Sequence, residues 1–442
     1  MRQDSNVYLF PVLCLVLLIC GSFESSSALA QEIVKKHDPE ADLINQAVDM
    51  PDLPQPADFL PDDGTVIQSP QPVPNGLFGT CMQRLDFEDG EAVLVGQSRS
   101  IREFSRDSQD NLVETCRIEP PESCANPGTF GMHFVVDGNH LFVRPVVLGD
   151  KARIHVYERG EDSWNHVHDI VPQMLPDGAR FERKLAAGDG WLFLHGKEGV
   201  VAFKRSETGK YAFAQFIQSE LDDPDERARF GRTAVVSDGR LCISSFVRKT
   251  EKGSMFECVD CYSIAQDSDE AKWTHRQRLE MPRSQPGSWF GDQMALSGDT
   301  LIVASPRWNR TVGRAHVYNW TNEENGWEHL QDLEVTPDSL SKFGTGLALE
   351  GDRLLVLASM PKTPGSAYLF EMDDSGRFER RAMIGLVDAE TRYDAFAAEA
   401  QFMTDGVCLV AASRRNTDDA QRSGVVYVYD FDHSQETADA SN

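Results

Sequence analysis

The chain has 442 residues, of which 26% are charged, and 43 Lys and Arg face 70 Asp and Glu for a formal net charge of -27. That balance excludes nucleic acid as a partner, because such binding draws its affinity from Lys and Arg neutralising phosphates. It also opposes attraction to anionic lipid surfaces, and the length allows two or three ordinary domains unless a repeat absorbs it.

The first 30 residues read as a signal peptide. Arg2 lies in a short polar region, Leu9 to Cys20 is apolar except for Pro11, and Ala28-Leu29-Ala30 offers small residues for cleavage before Gln31. The apolar run is shorter than the roughly 20 residues a membrane span requires. The mature chain is therefore expected to be secreted, periplasmic or at the cell surface, with no membrane insertion after cleavage. Residues 31–64, typified by Pro51-Asp52-Leu53-Pro54-Gln55-Pro56, lack any sustained period and are expected to be a disordered or extended acidic lead-in.

From residue 65 onward one pattern recurs. It begins at Phe78-Gly79, Phe130-Gly131, Phe181-Glu182, Phe230-Gly231, Phe290-Gly291, Phe343-Gly344 and Phe396-Ala397, at intervals of 52, 51, 49, 60, 53 and 53 residues. A period near fifty is a repeat architecture. Each repeat holds up to four strand candidates, A to D. Strand A carries the aromatic-glycine start, where the ring can wedge between sheets and the glycine admits close backbone approach. Turns such as Asp238-Gly239 and Gly298-Asp299 lead into strand B. Strand B is nearly continuous apolar sequence, as in Leu354-Leu355-Val356-Leu357, which suits burial on both faces. Strand C alternates, as in Val426-Tyr427-Val428-Tyr429, and strand D opens on Trp164, Tyr211, Trp273, Trp327 or Phe378 and turns polar.

Four-stranded antiparallel units repeated radially make a β-propeller, so the expected fold is all-β with seven blades over residues 65–433 and a disordered tail at 434–442. The last repeat lacks a D strand, and Thr65-Val66-Ile67-Gln68 is an unclaimed strand before the first Phe-Gly. Pairing the two would close the ring. The Phe-Gly starts and the small-residue endings of strand B (Val303-Ala304-Ser305-Pro306, Val95-Gly96) resemble the FG-GAP repeat, which builds the propeller of integrin α subunits and occurs in exported bacterial proteins. The likeness is strongest in the fifth and sixth repeats. It fades in the third, where Phe181-Glu182 and His195-Gly196 depart from the pattern. The resemblance implies extracellular binding or adhesion, although fold alone does not fix function.

The family's calcium loops are not expected here, and neither is any other cofactor. Calcium needs six to eight oxygens, whereas Ser297-Gly298-Asp299-Thr300 supplies one carboxylate on a tight turn. The longest hairpin, Asp86-Phe87-Glu88-Asp89-Gly90-Glu91, is the one exception worth testing. His166 and His168, two residues apart on a strand, would share a face, but their place matches a plain outer strand. No nucleophile elbow, HExxH, P-loop or dinucleotide fingerprint occurs. Asn309-Arg310-Thr311 and Asn319-Trp320-Thr321 are glycan acceptors in a host that modifies exported asparagines.

Seven cysteines remain after cleavage, an odd number that leaves at least one unpaired or paired between molecules. Cys116 and Cys124 flank a proline-bearing loop and are the candidate disulfide. Cys258-Val259-Asp260-Cys261 has no second CxxC to complete a zinc site and reads as a buried thiol pair or structural bridge, with Cys242 and Cys408 as core residues.

Two functions fit. The first is a non-catalytic exported propeller that binds a protein or polysaccharide. The second is a secreted carbohydrate-active enzyme, hydrolase or lyase, with an axial-pocket site, which would gather acids, His or Tyr from several blades at one mouth. The B–C loops are basic for so acidic a chain, and the candidate partner-binding residues are Arg307, Trp308, Arg310 and Arg314 in the fifth repeat. The partner best suited to that face is an anionic polymer.

Overall fold

The computed structural model describes residues 65–87, 90–147, 151–176, 184–196, 199–219, 229–249, 254–264, 271–281, 287–335, 342–358, 365–385, 394–404 and 406–431. They form seven four-stranded antiparallel sheets, each in the order A-B-C-D. In the fifth blade these are Met294–Ser297, Thr300–Ser305, Arg314–Asn322 and Gly326–Leu333. Each inner strand A touches the next and the seventh touches the first, which closes a β-propeller. The signal-peptide, lead-in and tail segments read from the sequence lie outside the described residues.

Closure is made by the two chain ends. Thr65–Gln68 pairs antiparallel with Val425–Asp430, Thr65 opposite Val428 and Gln68 opposite Val425, and so becomes the outer strand of the seventh blade. At the turn end, the Thr404 N–H and Oγ1 both donate to the Glu91 carboxylate of the first blade. The unclaimed strands at either end of the repeat series thus complete each other.

The Phe-Gly start is the joint between blades. Phe78 is fully buried among Met82, Val93 and Val95 of its own blade and Leu409, Ala411 and Val426 of the seventh. Its N–H donates to the Ser423 carbonyl at 2.7 Å, and the Phe343 N–H donates to the Val312 carbonyl at 2.9 Å, in each case on the preceding blade. Glycine is required for two reasons. The backbone is left-handed there, with φ +80° at Gly291 and +94° at Gly344. A Cβ on Gly291 would also stand 2.5 Å from Ser244 Cβ, and one on Gly344 would stand 2.8 Å from Ala304 Cβ. The small residue ending strand B is therefore the other half of the same joint.

The outer strands carry two devices that periodicity does not show. Strand D of six blades is bulged after its third or fourth residue, as between Val156/Tyr157 and Val317/Tyr318 on the facing strand. The bulge corrects the reading of His166 and His168. They oppose the adjacent residues Tyr157 and Val156 and so lie on opposite faces, because one extra residue shifts the alternation. The second device is a glutamine bolt. Gln215 accepts from the Trp273 N–H at 2.8 Å and donates to the Trp273 carbonyl at 2.9 Å on the next blade. Gln277 does the same to Trp327, and Gln331 to Phe378.

The joint makes a quantitative demand. Gly298 is also left-handed, at φ +54°, but a Cβ added there would meet nothing within 4 Å. Gly298→Ala should cost about 1 kcal/mol of backbone strain. Gly291→Ala should cost about 1–3 kcal/mol more, because it also overpacks the joint. Guanidinium denaturation of both variants measures the difference, and equal losses would show that packing at the joint does not matter.

Candidate functional site

Antiparallel order places the starts of strands A and C and the ends of B and D on one face of the ring, the Phe-Gly face. The fifth-blade loop lies there, with a single helical turn at Trp308–Thr311. Arg307 is exposed and its guanidinium stacks 3.4 Å from the centroid of Trp289. Arg232 lies 4.7 Å from the centroid of the same ring and also 4.7 Å from the Phe246 ring. The result is a ladder, Phe246–Arg232–Trp289–Arg307, running from the fourth blade to the fifth-blade loop. Trp289 itself is left-handed at φ +65°, as are Leu77, Lys342 and Ala395, the residues that precede the repeat phenylalanine in their own blades.

The four loop residues named from the sequence are not equivalent. Arg307 presents its guanidinium outward. Trp308 is half-buried beneath Arg314, 4.1 Å from its ring centroid. Arg314 is engaged by Asp332 at 2.7 Å and by Glu334, which leaves it a structural cation. The Arg310 side chain lies outside the described residues. Arg232 and Trp289 were not picked out in the sequence, since the repeat pattern hides them beside Phe230 and Phe290.

The ladder leads to the axis. Arg232 pairs with Asp292, whose carbonyl accepts from Thr233 Oγ1 at 3.0 Å and from Lys184 Nζ at 3.4 Å, while Lys184 Nζ also donates to Thr233 Oγ1 at 3.0 Å. Lys184 and Thr233 occupy one repeat position, the third residue after the phenylalanine. The same position holds Cys81, His133, Gln293, Gly346 and Glu399 in the other blades. Its carbonyl accepts the same ladder bond in four of them: Gly96 to Cys81, Arg144 to His133, His195 to Lys184 and Ala304 to Gln293. Six different side chains and the Gly346 backbone therefore share one level of the ring. Cys81 donates to the Phe134 carbonyl at 3.4 Å, bridging the first and second blades. At the far end, Arg84 of the first blade pairs across the channel with Glu350 of the sixth.

Charge in this ring is strongly perturbed. Burial pushes the Glu399 carboxyl up to about 8, against the opposing pull of Lys184 and of the Ala400 N–H. Burial lowers Lys184, with the Asp292 and Glu399 charges pulling the other way. The third and seventh blades stand on nearly opposite sides of the ring, and the charges of Lys184 and Glu399 act on each other across it. Burial and the Lys184 charge hold His195, beneath the Gly231 joint, down at about 4. Burial and then the Glu399 charge drive the Cys81 thiol far above its ordinary range.

Two further clusters have metal-ligand chemistry but the geometry of a clasp. Asp169 Oδ1 lies 2.6 Å from His155 Nδ1 and 2.8 Å from His166 Nε2, and Arg153 holds Oδ2 at 3.1 Å. In the fifth blade, His316, His329, Asp332 and Arg314 repeat the arrangement at 2.8, 2.7 and 2.7 Å. Burial would raise Asp169, but hydrogen bonds from both imidazoles hold it at about 2. Each carboxylate is satisfied by hydrogen bonds from two imidazoles, and the arginine supplies the positive charge that an ion would otherwise bring. In the Asp86–Glu91 hairpin, Asp86 is taken by Arg84 and Glu91 by Arg84 and Arg106, so neither carboxylate faces open solvent alone.

No disulfide joins Cys116 to Cys124, and all seven described cysteines are free thiols. Cys116 faces the Trp164 backbone of the next blade, while Cys124 faces Asn126. The thiols that do meet are Cys242 and Cys261, directly opposite on neighbouring strands, with sulfurs 3.1 Å apart. A surface depression of about 350 Å³ against Pro74 and Thr417–Gln421 gathers no such convergent groups.

No family model matches the chain, and no curated protein does. Solved structures do. A chain of the mitotic checkpoint complex is similar at 12% identity and TM-score 0.50, over 88% of this chain and 99% of that one. Periplasmic gluconolactonase of Pseudomonas aeruginosa is similar at 17% identity and TM-score 0.47, over 72% and 87%. Drosophila Semaphorin 1a, extracellular domains 1–2, is similar at 10% identity and TM-score 0.47, over 81% and 88%. At such identities the likeness is one of fold and carries no ligand across.

Glu399 predicts a pH dependence of stability. Its folded pKa of about 8 lies above the unfolded carboxyl value. Below the unfolded value both states are protonated and nothing is lost. As pH rises from about 4.5 to 8 the unfolded chain ionises first, so stability falls across that window. Glu399→Gln should therefore match wild type near pH 4.5 and melt increasingly higher than it toward pH 8. A constant difference across the range would show that this carboxyl is not held protonated.

Proposed function

We propose that this is an exported, non-catalytic propeller that binds an acidic polysaccharide across its Phe-Gly face, between the fifth-blade loop and the axis. The observation that carries the reading is the Phe246–Arg232–Trp289–Arg307 ladder. An aromatic face is a stacking surface for a sugar ring, and a guanidinium lying flat on it keeps its edge donors free for a carboxylate. A chain of net charge -27 repels polyanions over most of its surface, so a cationic groove is where such a chain can dock. The signal-peptide pattern and the likeness of the repeat to FG-GAP proteins support export and an extracellular partner.

One observation favours the second reading, a carbohydrate-active enzyme. Lys184 and Glu399 hold equivalent positions on inner strands of the third and seventh blades, and burial lowers the one and raises the other, as in acid–base sites. Incubation with a polyuronate separates the readings. New reducing ends or unsaturated products, made by wild type and lost in Glu399→Gln, would replace binding by catalysis.

Binding itself is tested on immobilised polyuronate. Arg307→Ala and Trp289→Asn, the latter chosen because asparagine tolerates positive φ, should each weaken binding by about tenfold, a loss of roughly 1.4 kcal/mol. Wild-type affinity should fall with salt, and neutral dextran should not bind. Undiminished binding in the double variant would move the site elsewhere.

A further inference from the structure

The fourth repeat is the longest, with 60 residues from Phe230 to Phe290 where the other intervals run from 49 to 53. Its strands B and C, Arg240–Lys249 and Ser254–Ile264, pair without a register shift, from Arg240 opposite Ser263 to Lys249 opposite Ser254. Within that pairing Cys242 stands directly opposite Cys261, and their sulfurs lie 3.1 Å apart. Side chains alternate along an unbulged strand, so Cys258, opposite Ser245, belongs to the other face of the blade. The C-x-x-C spacing therefore closes nothing, and the partner of Cys261 comes from strand B. Both residues are enclosed, with Cys242 0% and Cys261 2% exposed, in the cluster that receives Phe290 of the fifth blade. Two residues further along the same pair of strands, Ser244 and Val259 cradle Gly291 of the joint.

We propose that Cys242 and Cys261 are a disulfide site, at which a cross-strand bridge staples strands B and C of the fourth blade beneath its joint with the fifth. Directly opposite residues of an antiparallel pair have Cα atoms about 4.5 or about 5.5 Å apart, and a disulfide spans about 4.4–6.8 Å. The backbone is thus already in place, and the sulfurs need only close from 3.1 Å to about 2.05 Å. The oxidant is a second disulfide, on a small molecule or a protein. One cysteine thiolate attacks it, forming a mixed disulfide and expelling a thiolate. The other cysteine attacks the protein sulfur of that intermediate, so the Sγ–Sγ bond forms and the second half of the oxidant leaves. Two protein thiols are oxidised, one disulfide is reduced to two thiols, and the cysteine protons end on those leaving groups. Burial drives the Cys261 thiol well above its ordinary range, and a thiol that does not ionise does not exchange. The bond therefore forms during folding, before the joint covers it, and is shielded from reductants afterwards. It closes residues 243–260 into a loop, which stabilises the fold by restricting the unfolded chain. Nothing in this depends on the ligand. Export bears only on where the chain meets its oxidant, and the test supplies one.

The test folds the full chain from denaturant in two ways, with a mixture of reduced and oxidised glutathione or with reductant alone. Free thiols are then blocked with iodoacetamide in denaturant, and unreduced peptides are mapped by mass spectrometry. The glutathione sample should contain one linked pair, Cys242 with Cys261, while Cys81, Cys116, Cys124, Cys258 and Cys408 are alkylated. Cys258→Ala should keep that link, because Cys258 belongs to the other face. Bridged wild type should melt about 5 °C above the reduced protein. The double variant Cys242→Ala/Cys261→Ala should melt alike under both conditions. Each protein is compared only with itself, so the small cavity left by the alanines cancels. If the double variant does not fold, the maps of wild type and Cys258→Ala decide alone. Alkylation of Cys242 and Cys261 after folding with glutathione, or a link from Cys261 to Cys258, would overturn the proposal. So would equal melting of bridged and reduced wild type, or the same difference persisting in the double variant.

Discussion

Everything in this protein hangs on the joint between one blade's phenylalanine and the preceding blade's second and third strands. A four-stranded blade has two apolar faces and cannot bury either by itself. Phe78 serves both sides at once, packing on Val93 and Val95 of its own blade and on Leu409 and Ala411 of its neighbour. The following glycine brings the backbones close enough for the Phe78 N–H to reach the Ser423 carbonyl. Close approach, the left-handed backbone and a small residue on the facing strand are one condition written three ways.

Where the joint is inner, the glutamine bolts and histidine clasps are outer. They act on strand D, the edge that faces solvent on one side and would otherwise be held by a single ladder. Gln215, Gln277 and Gln331 tie that edge to the next blade through both backbone groups of an aromatic residue. His155–Asp169–His166 and His316–Asp332–His329 tie it to strand C of its own blade. Recurrence at one repeat position in two blades marks these imidazoles as part of the architecture. A variant of it appears in the fourth blade, where Asp260 accepts from Arg278 and pairs with His275.

Function is expected where the repeat is least regular. Sevenfold closure brings one residue from every blade to one level of the ring, where blades that are not neighbours act on each other, as Arg84 and Glu350 do at the far end. Most positions in the ring are neutral. Lys184 and Glu399 are the exceptions, and enclosure by the neighbouring strands, more than any direct partner, moves their proton affinities toward each other. Arg232 and Asp292 link that ring to the stacked arginines of the rim, so the charged features of this face are one connected arrangement.

Much of the fold was legible from residue order alone. The repeat interval, the continuous apolar run of strand B, the aromatic that opens strand D and the unclaimed strand at Thr65–Gln68 are local patterns, and local patterns follow from pleat, turn and burial. The seven blades and their closure rest on them. The site was not legible in the same way. Sequence composition pointed to Arg307, Trp308, Arg310 and Arg314, yet Arg314 is spent on Asp332 and Glu334, while Trp289 and Arg232 do the stacking. His166 and His168 were separated by a bulge that period-two counting does not register. Lys184 and Glu399 lie 215 residues apart in the chain, and no spacing rule joins them. The alignment of repeats contained a signal, the third position after each phenylalanine, but its meaning depended on the ring being closed. Sequence determined which segments become strands and where blades meet, because those are contacts between near neighbours. Tertiary structure decided which charges share the axis, because only circular closure brings the third and seventh blades face to face.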